Sequence, residues 1–219
     1  MKAFAKRYLP GIGQAFRASL VLMLVCGLAY PLLMTGLSAL LFPRQAGGSL
    51  IEVEGTPVAA ENVGQEFQQD YFLWSRPSAC HYNVYTENSS GGKTYRDGTP
   101  FPGISSGSGN YGPSNPALAK RVETDIASFL ERNPDIRRED IPTDLMTASG
   151  SGLDPHISPA SAEVQIPRIV KASGLSEAAV RDIISSCTGG KLLGIFGEET
   201  VNVVKVNLAI AQAMGLIQR

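Results

Sequence analysis

Ala18 to Phe42, ASLVLMLVCGLAYPLLMTGLSALLF, is a run of 25 residues without one ionisable carboxylate, amine or guanidinium. At about 1.5 Å per residue, a helix of this length is roughly 37 Å long. That is enough to cross a hydrocarbon core of about 30 Å with some tilt. A single span in lipid has to satisfy its own backbone hydrogen bonds, so a helix is the form it must take. The run divides the chain into a basic tail (1–17), a transmembrane helix (18–42) and a remainder (43–219) with enough volume for one domain and a real core.

The flanks orient it. Lys2, Lys6, Arg7 and Arg17 precede the run with no acid among them, whereas Arg44, Glu52 and Glu54 follow it. Positive flanks stay cytoplasmic, which places the N-terminus in the cytoplasm and the 43–219 domain outside. A cleaved signal peptide shares the basic start, and Gly36 with Ser38 imitates a cleavage site. Signal cores run to only about 7–15 apolar residues, so an anchor is the expected form. The chain beyond the tail carries a net charge of −5, which does not suit a nucleic-acid binder.

Within the run, Pro31 lacks an N–H and its ring presses on the carbonyl of Gly27, so a kink is expected there. Thr35 and Ala39, with Gly36 beside them, form a small face that lets another helix approach closely. Gly27, Pro31, Thr35, Gly36 and Ala39 are therefore the candidate docking residues of the helix. Tyr30 lies mid-span, where its hydroxyl needs a partner. Pro43 is expected to end the helix and 45–49 to form a flexible exit.

In the domain, Leu50–Glu54 reads as a short strand ending at Gly55. Phe67 and Tyr71 have helical spacing. Between Asn88 and Pro116, 20 of 29 residues are Gly, Ser, Pro or Asn, the composition of a long functional or irregular loop. Ser114-Asn115 caps and Pro116 opens a helix whose inner face is Leu118, Val122, Ile126, Phe129 and Leu130. Arg137–Asp144 is charged and expected to be exposed, with a short strand over Asp144–Ala148. Ser158-Pro159 starts another helix, faced by Ile166, Ile169 and Val170, which Pro167 should bend or split. Ser176 caps a third, faced by Val180, Ile183, Ile184 and Cys187 and ended by Gly189-Gly190. Val201–Val204 is strand-like and Leu208–Met214 helical. The fold class is one N-terminal transmembrane helix plus a mixed α/β (α+β) extracytoplasmic domain with a small sheet. Outside the membrane Cys80 and Cys187 are permitted a disulfide, but two unpaired buried thiols are the expectation.

Several fragments imitate catalytic or binding motifs. Gly92-Lys93-Thr94 ends like a phosphate loop, but Glu87 stands where its first glycine belongs. Gly107, Gly109 and Gly112 have dinucleotide-loop spacing without the leading strand. Gly103-Ile-Ser105-Ser-Gly107 spells a nucleophile elbow, again with no strand before it; an anchored hydrolase using Ser105 and His156 is the alternative reading. His81 beside Cys80, and His156 near Asp154, lack zinc-site spacing. Asn88-Ser-Ser90 is a glycosylation acceptor by pattern. None of these assigns a catalytic residue or a metal.

Ala148-Ser-Gly-Ser-Gly-Leu-Asp-Pro-His-Ile-Ser-Pro159 resembles the signature segment of the C subunit of the Kdp-type potassium-transporting ATPase. Other segments resemble that family in order: Tyr30-Pro-Leu-Leu33, Phe42-Pro43 and Gly48-Ser-Leu-Ile51; Ser75-Arg-Pro-Ser-Ala79, Gly109-Asn110 and Gly112-Pro-Ser-Asn-Pro116; Gln165-Ile-Pro-Arg168, Val201-Asn-Val203 and Asn207-Leu-Ala209. Leu73, Tyr111 and Glu199-Thr200 depart from the pattern locally.

The resemblance implies a non-catalytic subunit of a bacterial inner-membrane complex, with one membrane helix and a periplasmic domain. Its partners would be a channel-like potassium-binding subunit and an ATP-hydrolysing P-type subunit, in contact with the lipid bilayer. Potassium would be the transported ion. The family is also described as a catalytic chaperone that raises the ATPase subunit's affinity for ATP, and as nucleotide-binding. An outer domain without a phosphate loop does not meet cytoplasmic ATP, so coupling through membrane helices is the easier physical route. Arg76, Asn110, Asn115, Ser149, Ser151, Asp154, His156 and Ser158 are the candidate residues of the domain, either as contact surface or as builders of the turns beneath it.

Overall fold

In the computed structural model the chain divides into two units, Met1–Ser49 and Leu50–Arg219. The structure describes residues 2–89 and 91–218, with side chains from residue 11 onward. The side chains of Lys2, Lys6 and Arg7, and Ser90 of the glycosylation pattern, lie outside the described residues.

The first unit is helical well before Ala18. Helix α1 (Lys2–Leu24) takes in the basic tail and runs through a π-helical turn, Val25–Ala29, into α2 (Tyr30–Leu41). The stretch long and apolar enough to cross a membrane is Gly11–Leu41, 31 residues. A π-turn lies where the kink is expected. Pro31 offers no N–H to the Gly27 carbonyl and its ring would strike it in a regular helix. Widening the preceding turn by one residue, with Tyr30 N–H donating to Val25 O, accommodates both. The helix stops at Phe42 (φ −137°, ψ 58°), forced out of the α region by the proline after it. Pro43 then opens a short turn, α3 (Pro43–Ala46), closed by Ser49 N–H donating to Arg44 O at 2.9 Å. The exit at 45–49 is thus a built turn, not a free linker.

The second unit begins with an antiparallel hairpin, β1 (Leu50–Val53) and β2 (Thr56–Ala60), bulged between Ile51 and Glu52. No helix forms over Phe67–Tyr71. Two buried amides hold the following residues extended instead. Leu73 N–H donates to Asn207 Oδ1 (2.7 Å), and Asn207 Nδ2 donates back to Leu73 O (2.8 Å). Trp74 N–H donates to Gln165 Oε1 (2.9 Å), and Gln165 Nε2 donates to Trp74 O (3.3 Å) and Ser161 O (2.9 Å). These side chains complete the backbone hydrogen bonding as a neighbouring strand would, so the helical alternative is displaced. Phe72 meets both Phe67 and Tyr71 edge-on.

The glycine- and serine-rich segment is mostly irregular, but a hairpin, β3 (Thr86–Glu87) and β4 (Lys93–Thr94), opens it. Tyr85 stacks on Phe101 at 4.6 Å and Tyr95 meets Phe101 edge-on at 5.3 Å, a small aromatic core of its own.

Helix α4 (Pro116–Arg132) starts at Asn115, whose side chain accepts the Ala117 N–H, and ends at Asn133. Its Ile126 and Phe129 are buried against Leu145 and Met146, with Val122, Leu130, Trp74, Ile136 and Ile141 around them. No strand forms at Asp144–Ala148. Thr143–Leu145 is a 3₁₀ turn, and Asp144 is half-buried because Ser158 and Ser161 bond to it.

The main core is a three-stranded antiparallel sheet and the helices packed on it. Strand β5 (His156–Ile157) leads into α5 (Pro159–Glu163), and Pro167 splits off α6 (Ile166–Ser173) as expected. Helix α7 (Glu177–Ser186) is capped by Ser176 and stops at Cys187, before the glycine pair, because Thr188–Gly189 forms β6. Strand β7 (Thr200–Asn202) lies between β5 and β6. Only Val201-Asn202 of the strand-like stretch is strand. Asn202 accepts the Lys205 N–H and so starts α8 (Val203–Ala213) earlier than Leu208. Leu73, Ile157, Ile166, Ile169, Val180, Val201, Val203, Val206 and Ile210 form the buried cluster. Both cysteines of the second unit are free, Cys80 buried and Cys187 only half-buried.

Candidate functional site

The Ser149–Ser158 stretch is a hub on which three distant segments close. Ser149 is buried; its N–H donates to Pro77 O (3.2 Å) and its hydroxyl accepts the Gly152 N–H (2.8 Å). Ser151 Oγ accepts the Leu153 N–H, and its carbonyl accepts from Gly107 N–H (2.7 Å) and Ser106 Oγ (2.9 Å). The Gly152 carbonyl accepts from Ser78 Oγ at 2.6 Å, and the Leu153 carbonyl from Gly64 N–H at 2.7 Å. Ser158 caps α5 through Ser161 N–H, while its own N–H and hydroxyl donate to the Asp144 carboxylate at 2.8 and 3.0 Å.

Asp154 gathers two other sequence candidates, His156 and Arg76. It accepts from the His156 N–H (3.0 Å), lies 3.2 Å from His156 Nδ1 and faces Arg76 at 3.4 Å. Arg76 also reaches the Thr147 carbonyl, at 3.4 Å. The His156 side-chain bond, then its backbone N–H and the charges of His156 and Arg76, hold Asp154 below the usual carboxylate range against its burial. Burial pushes Asp144 upward, but the Ser161 and Ser158 bonds outweigh it and leave that carboxyl lowered too. Carboxylates depressed in the fold stabilise it above their unfolded pKa and lose that contribution as pH falls through the folded value. Asp144→Asn is therefore expected to flatten the fall of the melting temperature between about pH 5 and pH 2, measured by thermal scans of both proteins; parallel curves would refute the assignment.

Beside this hub opens a cleft of about 1140 Å³. Arg76, Tyr82, Asn110, Tyr111, Arg121 and Trp74 are among its walls. Asn110 sits at φ 48° on the rim and accepts from the Ser108 hydroxyl. Asn115 caps α4, whose Leu118, Arg121 and Val122 line the cleft. Burial pushes the Asp125 carboxyl up, against the pull of its Arg121 partner.

One wall is a turn that sequence reasoning missed. His81, Tyr82 and Asn83 are successive left-handed residues, at φ 47°, 53° and 57°. Each such residue without a compensating partner costs about 1–2 kcal/mol. Here the compensation is visible. Ser78 Oγ accepts the N–H groups of Cys80 and Tyr82, and Asn83 exchanges two hydrogen bonds with the Ser105 backbone. The Tyr82 hydroxyl donates to Arg76 O at 2.9 Å and lies 3.3 Å from Asp154 O. Burial lifts that phenol to about 12. His and Asn tolerate the left-handed region, which is the only local hint of the turn; nothing local predicts it at tyrosine.

The imitative motifs resolve into structure. Lys93 is in a hairpin and bonded to Tyr85 and Glu87. His81 faces Asp97 at 3.7 Å. The His156 ring has Asp154 and, at 3.5 Å, Asn202 as partners, and no hydrogen bond joins it to Ser105 among the described residues. The site is thus a polar scaffold beside a mixed aromatic and charged cleft, an arrangement suited to recognition.

Residues 12–212 match the family described as KdpC: K+-transporting ATPase, c chain. The chain belongs to this family. It is 51% identical over 212 residues to a Clostridium kluyveri protein named Potassium-transporting ATPase KdpC subunit, covering 97% of this chain and 98% of that one. A Clostridioides difficile protein of the same name is 52% identical over 204 residues, 93% of this chain and 97% of the relative. A third, from Caldanaerobacter subterraneus, is 42% identical over 201 residues, 92% and 94%. Membership makes the chain a subunit of a potassium-transporting ATPase and not its catalytic unit. The scaffold of Ser149–Ser158 is then the framework of a c chain, and the cleft is a surface this subunit presents.

Proposed function

We propose that the chain is a membrane-anchored accessory subunit of an ATP-driven, high-affinity potassium importer, with its N-terminus in the cytoplasm and the 50–218 domain outside. The observation that carries this reading is the family match over residues 12–212, which begins inside the apolar helix and runs to the end of α8. The orientation is supported by the four basic residues before Ala18. The partners are a channel-like potassium-binding subunit and an ATP-hydrolysing P-type subunit. An effect on ATP affinity is transmitted through the membrane helices. In the domain, Lys93 is held by Tyr85 and Glu87, so the nearest imitation of a phosphate loop has no free cation to offer. Transmission of this kind needs two states of the complex that contact this subunit differently.

The docking face of the helix is Gly27, Pro31, Thr35, Gly36 and Ala39. Apart from its chain neighbours and the helix's own backbone, no heavy atom of the described residues lies within 4 Å of a β-carbon placed at Gly36, so a side chain there fits the helix itself and obstructs only a neighbour. Gly36→Leu is expected to lower the yield of partner subunits copurified with the full chain at least fivefold while leaving membrane insertion intact. Equal copurification would reduce the helix to a tether. Arg76, Asn110, Asn115, Ser149, Ser151, Asp154, His156 and Ser158 act on the domain side. Of these, Arg76 and Asn110 face the cleft, and the other six hold the turns and helix starts around it.

A further inference from the structure

Residues 191–197, between β6 and β7, form a tight hairpin whose large side chains all face solvent. Leu192 N–H donates to Phe196 O (2.8 Å) and Phe196 N–H to Leu192 O (2.9 Å), and Gly194 N–H closes the turn on Lys191 O (3.0 Å). The backbone is self-satisfied, so the tip needs no other strand. Yet Leu192, Leu193, Ile195 and Phe196 are 69%, 81%, 76% and 62% exposed. Single exposed apolar residues are ordinary, but four within five positions make a contiguous patch.

Folding does not account for them. Leu193 stands at φ 55°, where asparagine or glycine would be less strained. A leucine that is both strained and four-fifths exposed lowers the stability of the free chain, and strain of this kind marks functional positions.

The surroundings select the occupant. Within residues 188–200 Lys191 is the single Lys or Arg and faces Glu198 at 3.5 Å, and Glu199 adds a second acid. An anionic lipid surface would be repelled, since interfacial insertion is aided by basic flanks. A second copy is also disfavoured. Four side chains fall far short of the roughly 20–30 residues a side that hold a free complex together. The occupant has to be a protein already held alongside by other contacts, as a fellow subunit is.

We infer that the 191–197 hairpin is a plug that inserts into an apolar recess on another subunit of the ATPase complex. The inference rests on the subunit reading given under Proposed function.

The test places a benzophenone photocrosslinker at Leu193 of the full chain, coexpressed with the complex and irradiated after purification. A covalent adduct with another subunit, identified by mass spectrometry, is expected. Leu193→Asp/Phe196→Asp should leave the melting temperature unchanged and speed release of the chain from immobilised complex at least about tenfold. An adduct with lipid, an adduct with a second copy, no adduct, or wild-type retention of the double variant would each overturn the plug. Failure of the unmodified chain to copurify with any other subunit would instead overturn the subunit reading.

Discussion

Arg168→Ala is expected to destabilise the domain by about 3–5 kcal/mol, because truncation removes a donor from several buried neutral acceptors at about 1–3 kcal/mol for each one left unmet. Arg168 is 7% exposed, and among the described residues no carboxylate touches its guanidinium. It is held by neutral acceptors. Nε donates to Asn133 Oδ1 at 3.0 Å, one terminal nitrogen donates to the carbonyls of Asp70 (2.6 Å) and Phe72 (3.0 Å), and the other donates to Gln165 Oε1 at 2.7 Å. Its Cζ lies 4.3 Å from the centre of the Trp74 ring. Burial draws its pKa down to about 10, with Asp70 opposing, so it remains charged at neutral pH.

The planar fork is what this position requires. Four donors leave the guanidinium in fixed directions, each to a group whose own position depends on it. Truncation leaves the Asn133 oxygen without its donor and the Gln165 oxygen with one fewer, and an unmet buried acceptor costs about 1–3 kcal/mol. Gln165 matters doubly, because the same oxygen accepts the Trp74 N–H. Arg168→Lys keeps the charge, loses the fork, and is expected to recover less than half of the loss. Thermal unfolding of the full chain in detergent, followed by tryptophan fluorescence, measures both. The chain has one tryptophan, so the signal reports on the ring beneath the guanidinium. A melting temperature within about 2 °C of wild type for Arg168→Ala would show that the network contributes nothing net.

This network also explains which parts of the fold the amino-acid sequence discloses. Helix starts are local chemistry. Asn115-Pro116, Ser158-Pro159 and Ser176 each cap the helix expected of them, and the faces built on Ile126 and Phe129, on Ile166 and Ile169, and on Val180 are the buried ones. Residues 64–83 are the reverse. Leu73 and Trp74 are held there by Asn207 and Gln165, 134 and 91 residues downstream, and helical spacing of Phe67 and Tyr71 carries no trace of that. Val203 and Val204 have strand-like composition but begin a helix, because Asn202 offers a cap and the core accepts valine in either form. In the site, Arg76, Asp154, His156 and Ser158 stand out as candidates; that Arg76 meets Asp154 does not, nor do the partners Asn202 and Asp144, since only folding brings them together.

The two glycines of Ser149-Gly-Ser-Gly152 look alike in sequence and should behave oppositely. Gly152→Ala is expected to cost more than about 3 kcal/mol and to abolish recovery of folded protein at 37 °C, while Gly150→Ala should stay within about 0.5 kcal/mol of wild type. Gly152 adopts φ +69°, which disfavours any β-carbon. A β-carbon there would also lie 2.6 Å from Gly107 O and 2.7 Å from Cys80 Sγ. The first of these is backbone, itself fixed by Gly107 N–H donating to Ser151 O. It cannot withdraw without releasing the long loop from the hub. At Gly150 nothing lies within 4 Å and φ is not in the left-handed range. Urea titration of each variant reads the difference. Cys80→Ala in the Gly152→Ala background separates the two contacts. Relief of the sulfur alone should restore little, because the carbonyl contact and the backbone strain remain. Full restoration would mean that the loop from 105 to 109 moves freely and that the hub is held only through Ser78 and Cys80.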